Sequence, residues 1–277
     1  MAQYSRRDPR LGYDDAVHAR FHAPAADAPG DHVTLLPEEA AHLTRVLRLG
    51  VGAAVRVFNG RGDEFHGIVD SVGKGSVGRN SVGKNSVDIL VGEPCDTVPE
   101  RRTRITLAAA VLKGDKMDDV VRDAVMMGVA AIQPLVTART EVRMATLAHA
   151  HRRKRWERVA IASVKQCGRA VLPAVLEPRE FNLWLPGADV HREARSPRPL
   201  FLVEPGASTE ARPLAELEGA SPLEATIVIG PEGGWDPDEI ARAAAMCRLV
   251  TLRTATLRAD ATPIVALAAL LAHWGDL

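Results

Sequence analysis

One segment constrains the fold of this chain most, residues 227–240, which read IVIGPEGGWDPDEI. A β-branched run ends there at a turn with three glycines, and the start of a helix follows directly. Asp236 is a favourable N-cap, Pro237 suits the first helical turn, and Glu239 lies where a capping box requires an acid. A strand, a glycine turn and a helix in this order form ligand sites in α/β sheets. The segment therefore predicts a binding site in an α/β domain rather than a connection without a ligand.

The composition is that of a globular protein whose net charge creates no overall electrostatic attraction to nucleic acids. The chain has 277 residues, 46% of them hydrophobic and 25% charged, and its formal net charge is zero. This length allows one large domain or two ordinary ones, and any basic surface must be local. The three cysteines form no CxxC or Cys/His cluster, so we expect neither a disulfide framework nor a metal site. With no signal-peptide pattern and no apolar stretch of spanning length, we expect a cytoplasmic protein.

The first third of the sequence predicts a small domain built from short strands. Residues 1–17 are predicted to be a polar, mobile tail. Residues 18–96 contain short alternating strands and one amphipathic helix at Pro37–Leu49, a pattern that predicts a β-barrel-like domain. Three repeated pentads at residues 71–86 indicate a flexible, mildly basic hairpin insertion. The repeat imitates dinucleotide-binding and P-loop motifs, but no helix follows it, so we exclude both.

After a linker, residues 101–277 alternate between strand and helix patterns. This alternation predicts a mostly parallel sheet covered on both faces by helices. Strands are expected at 104–112, 131–136, 200–204, 226–229 and 249–252, and helices at 115–127, 147–167, 209–217, 237–247 and 262–274.

Several segments together resemble one family. They are HLTRVLRLGVGAAVRVFNGRGDEF (42–65), VLKGDKMDDVVRDAVMMGV (111–129), KRWERVAIASVKQCGRAVLPAV (154–175), VIGPEGGWDPDEI (228–240) and LRTATLRADATPIVAL (252–267). Over residues 18–275 the chain resembles the ribosomal RNA small subunit methyltransferase E family, which methylates N3 of a uridine in 16S rRNA. The resemblance implies a PUA-like N-terminal barrel and a SPOUT methyltransferase domain with a trefoil knot. It also implies S-adenosylmethionine as methyl donor, a homodimer, and 16S rRNA or the small ribosomal subunit as partner, with neither membrane nor metal.

The resemblance assigns cofactor binding to two loops and to the end of a neighbouring strand. Glycines in the first loop would let backbone groups approach the cofactor closely. The alternative role for Glu232 is to cap the helix that follows. The cofactor-binding residues implied in this way are Leu202, Val203, Glu204, Gly230, Pro231, Glu232, Gly233, Gly234, Leu252, Arg253 and Leu257.

The second loop, residues 252–263, departs from the family pattern LGPRILRTETAP. Arg253 replaces a glycine, Ala255 replaces an arginine, and the Thr-Glu-Thr trio is 259–261, Ala-Asp-Ala. We expect these changes to reshape the adenine pocket and to remove hydrogen bonds. The retained Arg258 is predicted to stabilise an anionic uracil. Either Asp260 or Glu232 is predicted to take the proton from N3, although Arg258 and Asp260 would also suit a structural ion pair.

Positive charge is concentrated in residues 139–169, which carry nine Lys or Arg against two acids. Such a strip would track phosphates, while its alternative is a solvated helix face. The residues predicted to bind RNA are Arg152, Arg153, Arg155, Arg169, Lys113 and Lys116. Two other functions stay open: a SPOUT enzyme with another RNA target, and an RNA-binding assembly factor that has lost catalysis.

Overall fold

The computed structural model describes residues 19–74, 85–149, 152–190 and 197–277. The chain divides into two compact units, Met1–Asp96 and Thr97–Leu277. The tail predicted at residues 1–17 and most of the pentad insertion predicted at 71–86 lie outside the described residues.

The first unit is built on a five-stranded sheet with the order β1-β3-β4-β5-β2. All neighbouring strands are antiparallel except the pair β1 and β3. Buried apolar side chains from these strands and from the helical segment form one core. The elements are β1 (Arg20–His22), β2 (His32–Thr34), α1 (Pro37–Ala41), a π-helical turn (His42–Val46), β3 (Ala54–Phe58), β4 (Glu64–Lys74) and β5 (Asn85–Pro94).

The second unit is an eight-stranded sheet in which every pair of neighbours is parallel. Its strands are β6 (Arg104–Ala110), β7 (Ala131–Val136), β8 (Ala174–Val175), β9 (Arg179–Glu180), β10 (Leu200–Leu202), β11 (Arg212–Pro213), β12 (Glu224–Ile229) and β13 (Arg248–Thr251). Its helices are α2 (Lys116–Met126), α3 (Met144–His149), α4 (Arg152–Cys167), α5 (Phe181–Val190), α6 (Pro237–Met246) and α7 (Thr262–His273). The predicted α/β class with a parallel sheet is confirmed.

The helix predicted at residues 209–217 is wrong. That region contains β11, which pairs with β13 at the sheet edge, and then a single 3-10 turn at Leu214–Glu216. Pairing with the sheet edge outweighs the local helical pattern, and Pro213 is tolerated there because an edge strand can leave one side unpaired.

The order of the strands determines where a ligand site can lie. The strand order is β11-β13-β10-β12-β6-β7-β8, with β9 also paired to β7. The chain therefore places β12 between β10 and β6, and β13 on the other side of β10. Because the strands are parallel, the loops after β10, β12 and β13 all leave the sheet on the side where the strands have their carboxyl ends.

Candidate active site

The first predicted cofactor loop is held in place by Trp235. The indole Nε1–H of Trp235 donates a hydrogen bond of 2.8 Å to the carbonyl oxygen of Leu202 at the end of β10. The ring is buried against Phe201 and Phe181, at centroid distances of 4.3 and 5.1 Å. A Cβ on Gly230 would lie only 2.9 Å from the indole atoms Cε2 and Nε1. The loop after β12 is therefore fixed to the end of β10 by a rigid aromatic side chain, which sequence reasoning did not assign to the site.

The helix start predicted at Asp236 is confirmed. The Asp236 carboxylate accepts from the backbone N–H of Asp238, and the Glu239 carboxylate accepts from the backbone N–H of Asp236. Glu239 is only 1% exposed, and its other oxygen accepts from the backbone N–H of Ala138 at 2.9 Å. One buried carboxylate thus joins the start of α6 to the loop after β7. Asp236 occupies the N-cap, so Glu232 does not serve as the cap of this helix.

The last two glycines of the loop allow close contacts with neighbouring side chains. Gly234 has φ +68°, and a Cβ there would lie 2.6 Å from Glu204 Oε1. Gly233 lies against Arg139, whose guanidinium donates to the Gly233 carbonyl oxygen at 3.2 Å. Arg139 also lies 3.5 Å from the carboxylate of Asp236. These contacts explain why both positions are glycine, and they add Arg139 to the residues that shape the loop.

A cleft lies at the carboxyl ends of β10, β12 and β13. It encloses about 590 Å³, including open solvent at its mouth. Its walls combine apolar side chains with two glutamates and three threonines. The lining residues are Leu202, Val203, Glu204, Pro205, Ile229, Gly230, Pro231, Glu232, Trp235, Leu252, Thr254, Ala255, Thr256, Leu257, Ala259 and Thr262.

The structure brings most of the predicted cofactor residues together in this cleft. Eight of the eleven line it: Leu202, Val203, Glu204, Gly230, Pro231, Glu232, Leu252 and Leu257. Gly233 and Gly234 do not line the cleft; Gly233 lies against Arg139 and Gly234 lies against Glu204. The side chain of Arg253 does not line the cleft, because it is 71% exposed and forms an ion pair with Glu216 on the 3-10 turn. The arginine at this position therefore does not enter the space where we expected it to narrow the pocket.

The two predicted catalytic residues contact each other. The guanidinium of Arg258 donates to both carboxylate oxygens of Asp260, at 3.1 and 3.0 Å. This hydrogen bonding lowers the pKa of Asp260 below its ordinary value of 3.8. Neither residue lines the cleft, although both belong to the loop that does. The ion pair expected as the structural alternative is present, and it leaves the guanidinium exposed to solvent.

The predicted RNA-binding cations are not free in the structure. Lys116 pairs with Glu232 at 3.1 Å, and Lys113 pairs with Glu141 at 2.8 Å. Arg155 pairs with two aspartates, Arg153 with two glutamates, and Arg152 donates to a backbone carbonyl. A phosphate would have to compete with these partners.

Arg169 is a further correction. Its side chain is buried, pairs with Glu100, and donates to the backbone carbonyl oxygens of Val125 and Val129. A buried cation with these partners stabilises the fold and cannot reach a phosphate. The basic helix pattern gave no indication of this burial.

A second depression of the same unit lies at the opposite ends of the strands. Its lining includes Leu200, Ala225 and Arg248, which stand at the starts of β10, β12 and β13. Ligands of open α/β sheets bind at the carboxyl ends of the strands, so the cleft above is the stronger candidate for a cofactor site. Within the described residues there is no group of three or more His, Cys, Asp or Glu side chains that could hold a metal ion. Nor is any described helix long and apolar enough to cross a membrane.

Comparison with known proteins gives matches in both units. Residues 99–271 match the family described as RNA methyltransferase domain, and residues 35–77 match an RNA methyltransferase PUA domain. A ribosomal RNA small subunit methyltransferase E of Synechocystis is 28% identical over 85% of this chain and 71% of its own length. The same enzyme of Rickettsia conorii is 25% identical over 87% of this chain and 90% of its own length.

Two solved structures resemble the whole chain. A Legionella pneumophila methyltransferase in complex with its cofactor SAM has a TM-score of 0.78 and 27% identity, covering 92% of this chain and 97% of its own. A ribosomal RNA small subunit methyltransferase E from Neisseria gonorrhoeae, bound to S-adenosyl methionine, has a TM-score of 0.76 and 26% identity, covering 93% and 98%. The chain belongs to the RNA methyltransferase domain family, and the relatives that it resembles include ribosomal RNA small subunit methyltransferases E.

Proposed function

We propose that this protein transfers a methyl group from S-adenosylmethionine to N3 of a uridine in 16S rRNA. The observation that carries the proposal is the cleft at the carboxyl ends of β10, β12 and β13, where eight of the residues expected from the sequence meet. Two relatives of similar fold bind S-adenosylmethionine, and one of them bears the name of a small-subunit rRNA methyltransferase. A cytoplasmic location follows from the rRNA substrate.

The residues of the cleft suit S-adenosylmethionine. Leu202, Leu252 and Leu257 supply apolar surface for an adenine, and the hydroxyls of Thr254 and Thr256 supply hydrogen-bonding groups. The Glu204 carboxylate is at the wall and has the charge that complements a cationic ligand. When bound, the cofactor supplies a methyl group on a sulfonium and leaves as a neutral thioether.

The chemistry at uracil requires a base and a cation from the protein. N3 carries a proton, which a carboxylate must accept before the nitrogen lone pair can attack the methyl carbon. Glu232 lines the cleft and pairs with Lys116 through one oxygen, whereas Asp260 does not line the cleft and has both oxygens paired with Arg258. We therefore favour Glu232 over Asp260 as the proton acceptor. The Arg258 side chain is 75% exposed, so its guanidinium is accessible to stabilise negative charge on the uracil oxygens.

The remaining features of the proposal concern architecture. We propose that the path of the chain through β10, β12 and β13 forms a trefoil knot; the insertion of β12 between β10 and β6 supports it. We propose that the first unit is a PUA-like barrel that binds RNA, residues 18–96, and that residues 101–277 form the methyltransferase domain. We also propose a homodimer with its active sites near the subunit interface.

Calorimetry with S-adenosylmethionine tests the cofactor assignment. Ala255 lines the cleft and is exposed, so Ala255→Trp fills the site without disturbing the core. Ala241 is equally exposed on α6 and lies outside the cleft, so Ala241→Trp is the matched control. We expect a dissociation constant of about micromolar size for the wild type and the control, and a loss of more than about 100-fold for Ala255→Trp. Equal binding by all three proteins would place the cofactor elsewhere.

A second candidate function is an RNA-binding assembly factor that has lost catalysis. The observation that favours it is the pair Ala255 and Ala259, which line the cleft where the family pattern has an arginine and a threonine. For this candidate we expect no binding of S-adenosylmethionine at about millimolar concentration, while the same protein still binds rRNA. The same titration therefore separates the two functions.

A further inference from the structure

An exposed turn of the first unit has an unusual backbone. The helix α1 passes into the π-helical turn His42–Val46, and Arg48 then adopts φ +55°. Among the described residues Arg48 is the only one other than glycine with positive φ. π-helical turns and left-handed non-glycine residues are costly, and they persist mostly at functional sites.

One buried and one partly buried leucine anchor the two ends of this turn to the core. Leu43 is completely buried, and Leu49 packs against the same core. The backbone N–H of Leu49 donates to the carbonyl oxygen of Leu43 at 3.0 Å, which closes the segment between them. The side chains of residues 45–48 are consequently all exposed. The fold thus exposes these four side chains to solvent, although two of them, Val46 and Leu47, are apolar.

The exposed side chains combine apolar surface with positive charge. Val46 is 69% exposed, Leu47 41% and Val51 68%. Arg45 and Arg48 lie among them, and no described carboxylate forms an ion pair with either guanidinium. This differs from the six cations of the second unit predicted to bind RNA, which all have protein partners. We call these five residues, Arg45, Val46, Leu47, Arg48 and Val51, the Arg45–Val51 rim.

We propose that the Arg45–Val51 rim binds an unpaired segment of the rRNA substrate. The two guanidiniums, which pair with no carboxylate in the described part of the chain, complement phosphates. A guanidinium plane or an apolar side chain offers a surface to an unstacked base. The charge complementarity favours RNA over a protein partner or a second copy of this chain. The match to an RNA methyltransferase PUA domain at residues 35–77 includes the rim. The inference rests on the proposed function, because it identifies where the substrate of that reaction is held.

The test measures binding of the full chain to 16S rRNA by fluorescence anisotropy at several salt concentrations. We expect the double variant Val46→Ser, Leu47→Ser to bind about tenfold more weakly than the wild type. The matched control replaces Ile68 and Val72 of β4 by serine, since these are exposed apolar residues of the same unit, 51% and 39%. The control should stay within about twofold of the wild type. Replacing both rim arginines by serine should also reduce the salt slope by about one to two units.

The variant Arg48→Gly separates binding from folding. Glycine adopts positive φ without strain, so this variant should raise the melting temperature of the first unit while it weakens RNA binding. Damage to the fold would move both quantities in the unfavourable direction. Rim variants with wild-type RNA affinity would overturn the inference, as would a rim effect on the dissociation of a homodimer without an effect on RNA.

The results that would contradict the proposed function differ from those that would contradict only the inference about the rim. Rim variants should bind S-adenosylmethionine with wild-type affinity, because the rim belongs to the other unit. If the wild type binds rRNA and S-adenosylmethionine but the rim variants equal the control, only the inference about the rim is wrong. A wild-type protein that binds neither molecule would contradict the proposed function and with it the rim.

Discussion

The contact between Gly230 and Trp235 allows a prediction with a defined magnitude. An added Cβ at position 230 would meet three indole atoms at 2.9, 2.9 and 3.3 Å. Gly230 has no positive φ, so Gly230→Ala introduces this contact without additional backbone strain. The indole cannot withdraw easily, because it donates to the Leu202 carbonyl and packs between Phe181 and Phe201.

Overpacking of a rigid site costs about 1–3 kcal/mol, and we expect Gly230→Ala to destabilise the second unit by that amount. Trp235→Phe alone should cost about 1–3 kcal/mol, since it leaves the buried Leu202 carbonyl without its donor. Phenylalanine is smaller than tryptophan and makes no hydrogen bond to the Leu202 carbonyl, so its ring can move away from the new methyl group. The double variant should therefore be more stable than the sum of the single effects predicts, by about 1 kcal/mol.

Urea denaturation followed by tryptophan fluorescence measures these effects in the relevant unit. All four tryptophans of the chain lie in the second unit, so three of them still report when Trp235 is replaced. Calorimetry with S-adenosylmethionine should show weaker binding by Gly230→Ala and partial recovery in the double variant. Strict additivity of the free energies of unfolding would refute the proposed contact between residue 230 and the indole.

Three further predictions concern buried or paired groups. Arg169→Ala should destabilise the second unit by about 3 kcal/mol, measured by urea denaturation, and leave the rRNA affinity of the folded protein unchanged. Glu239→Gln should lower the stability by about 2 kcal/mol and weaken cofactor binding, because one of the two backbone N–H groups loses its acceptor and faces the amide NH2, which only donates. Hydrogen bonds from Thr34 and Ser71 lower the pKa of Asp88 below 3.8, so its contribution is present above that pH and is lost as the pH falls through the lower folded pKa. Acid titration should show a steeper loss of stability below about pH 4 for the wild type than for Asp88→Asn, and parallel curves would contradict this assignment.

The parts of the fold with local chemical signals were predictable from the sequence. Asp236, Pro237 and Glu239 specify a helix start through interactions within a few residues, and the structure has the predicted capping box. The parallel sheet followed from the alternation of strand and helix patterns. Two of the three strand ends that form the cleft were also identifiable from glycine turns, Gly206 after β10 and Gly230 after β12. The loop after β13 has no glycine and was identified only by its resemblance to the family pattern.

Elements that depend on distant partners were not predictable. The helix α5 contains Pro186, which normally argues against a helix, yet Phe181, Trp184 and Leu185 are buried in the core on one of its faces. The burial of Arg169 depends on Glu100, 69 residues away in the sequence. No local pattern contains such information, since the stabilising contacts form only when the sheet is assembled.

The Arg45–Val51 rim is another feature that the local sequence pattern did not predict. The sequence predicts a regular helix over Pro37–Leu49 with apolar residues at helical spacing. The structure ends that helix at Ala41 and turns Val46 and Leu47 toward solvent. Hydrophobic periodicity assumes that apolar side chains face a core, and this assumption fails where a surface is built to contact another molecule.

The most direct test of the account is nucleoside mass spectrometry of 16S rRNA from cells with and without this protein. We predict that N3-methyluridine disappears without the protein. It should return with the wild type and with Ala241→Trp, but not with the cleft-filling Ala255→Trp. An unchanged level of N3-methyluridine in cells that lack the protein would contradict the central claim.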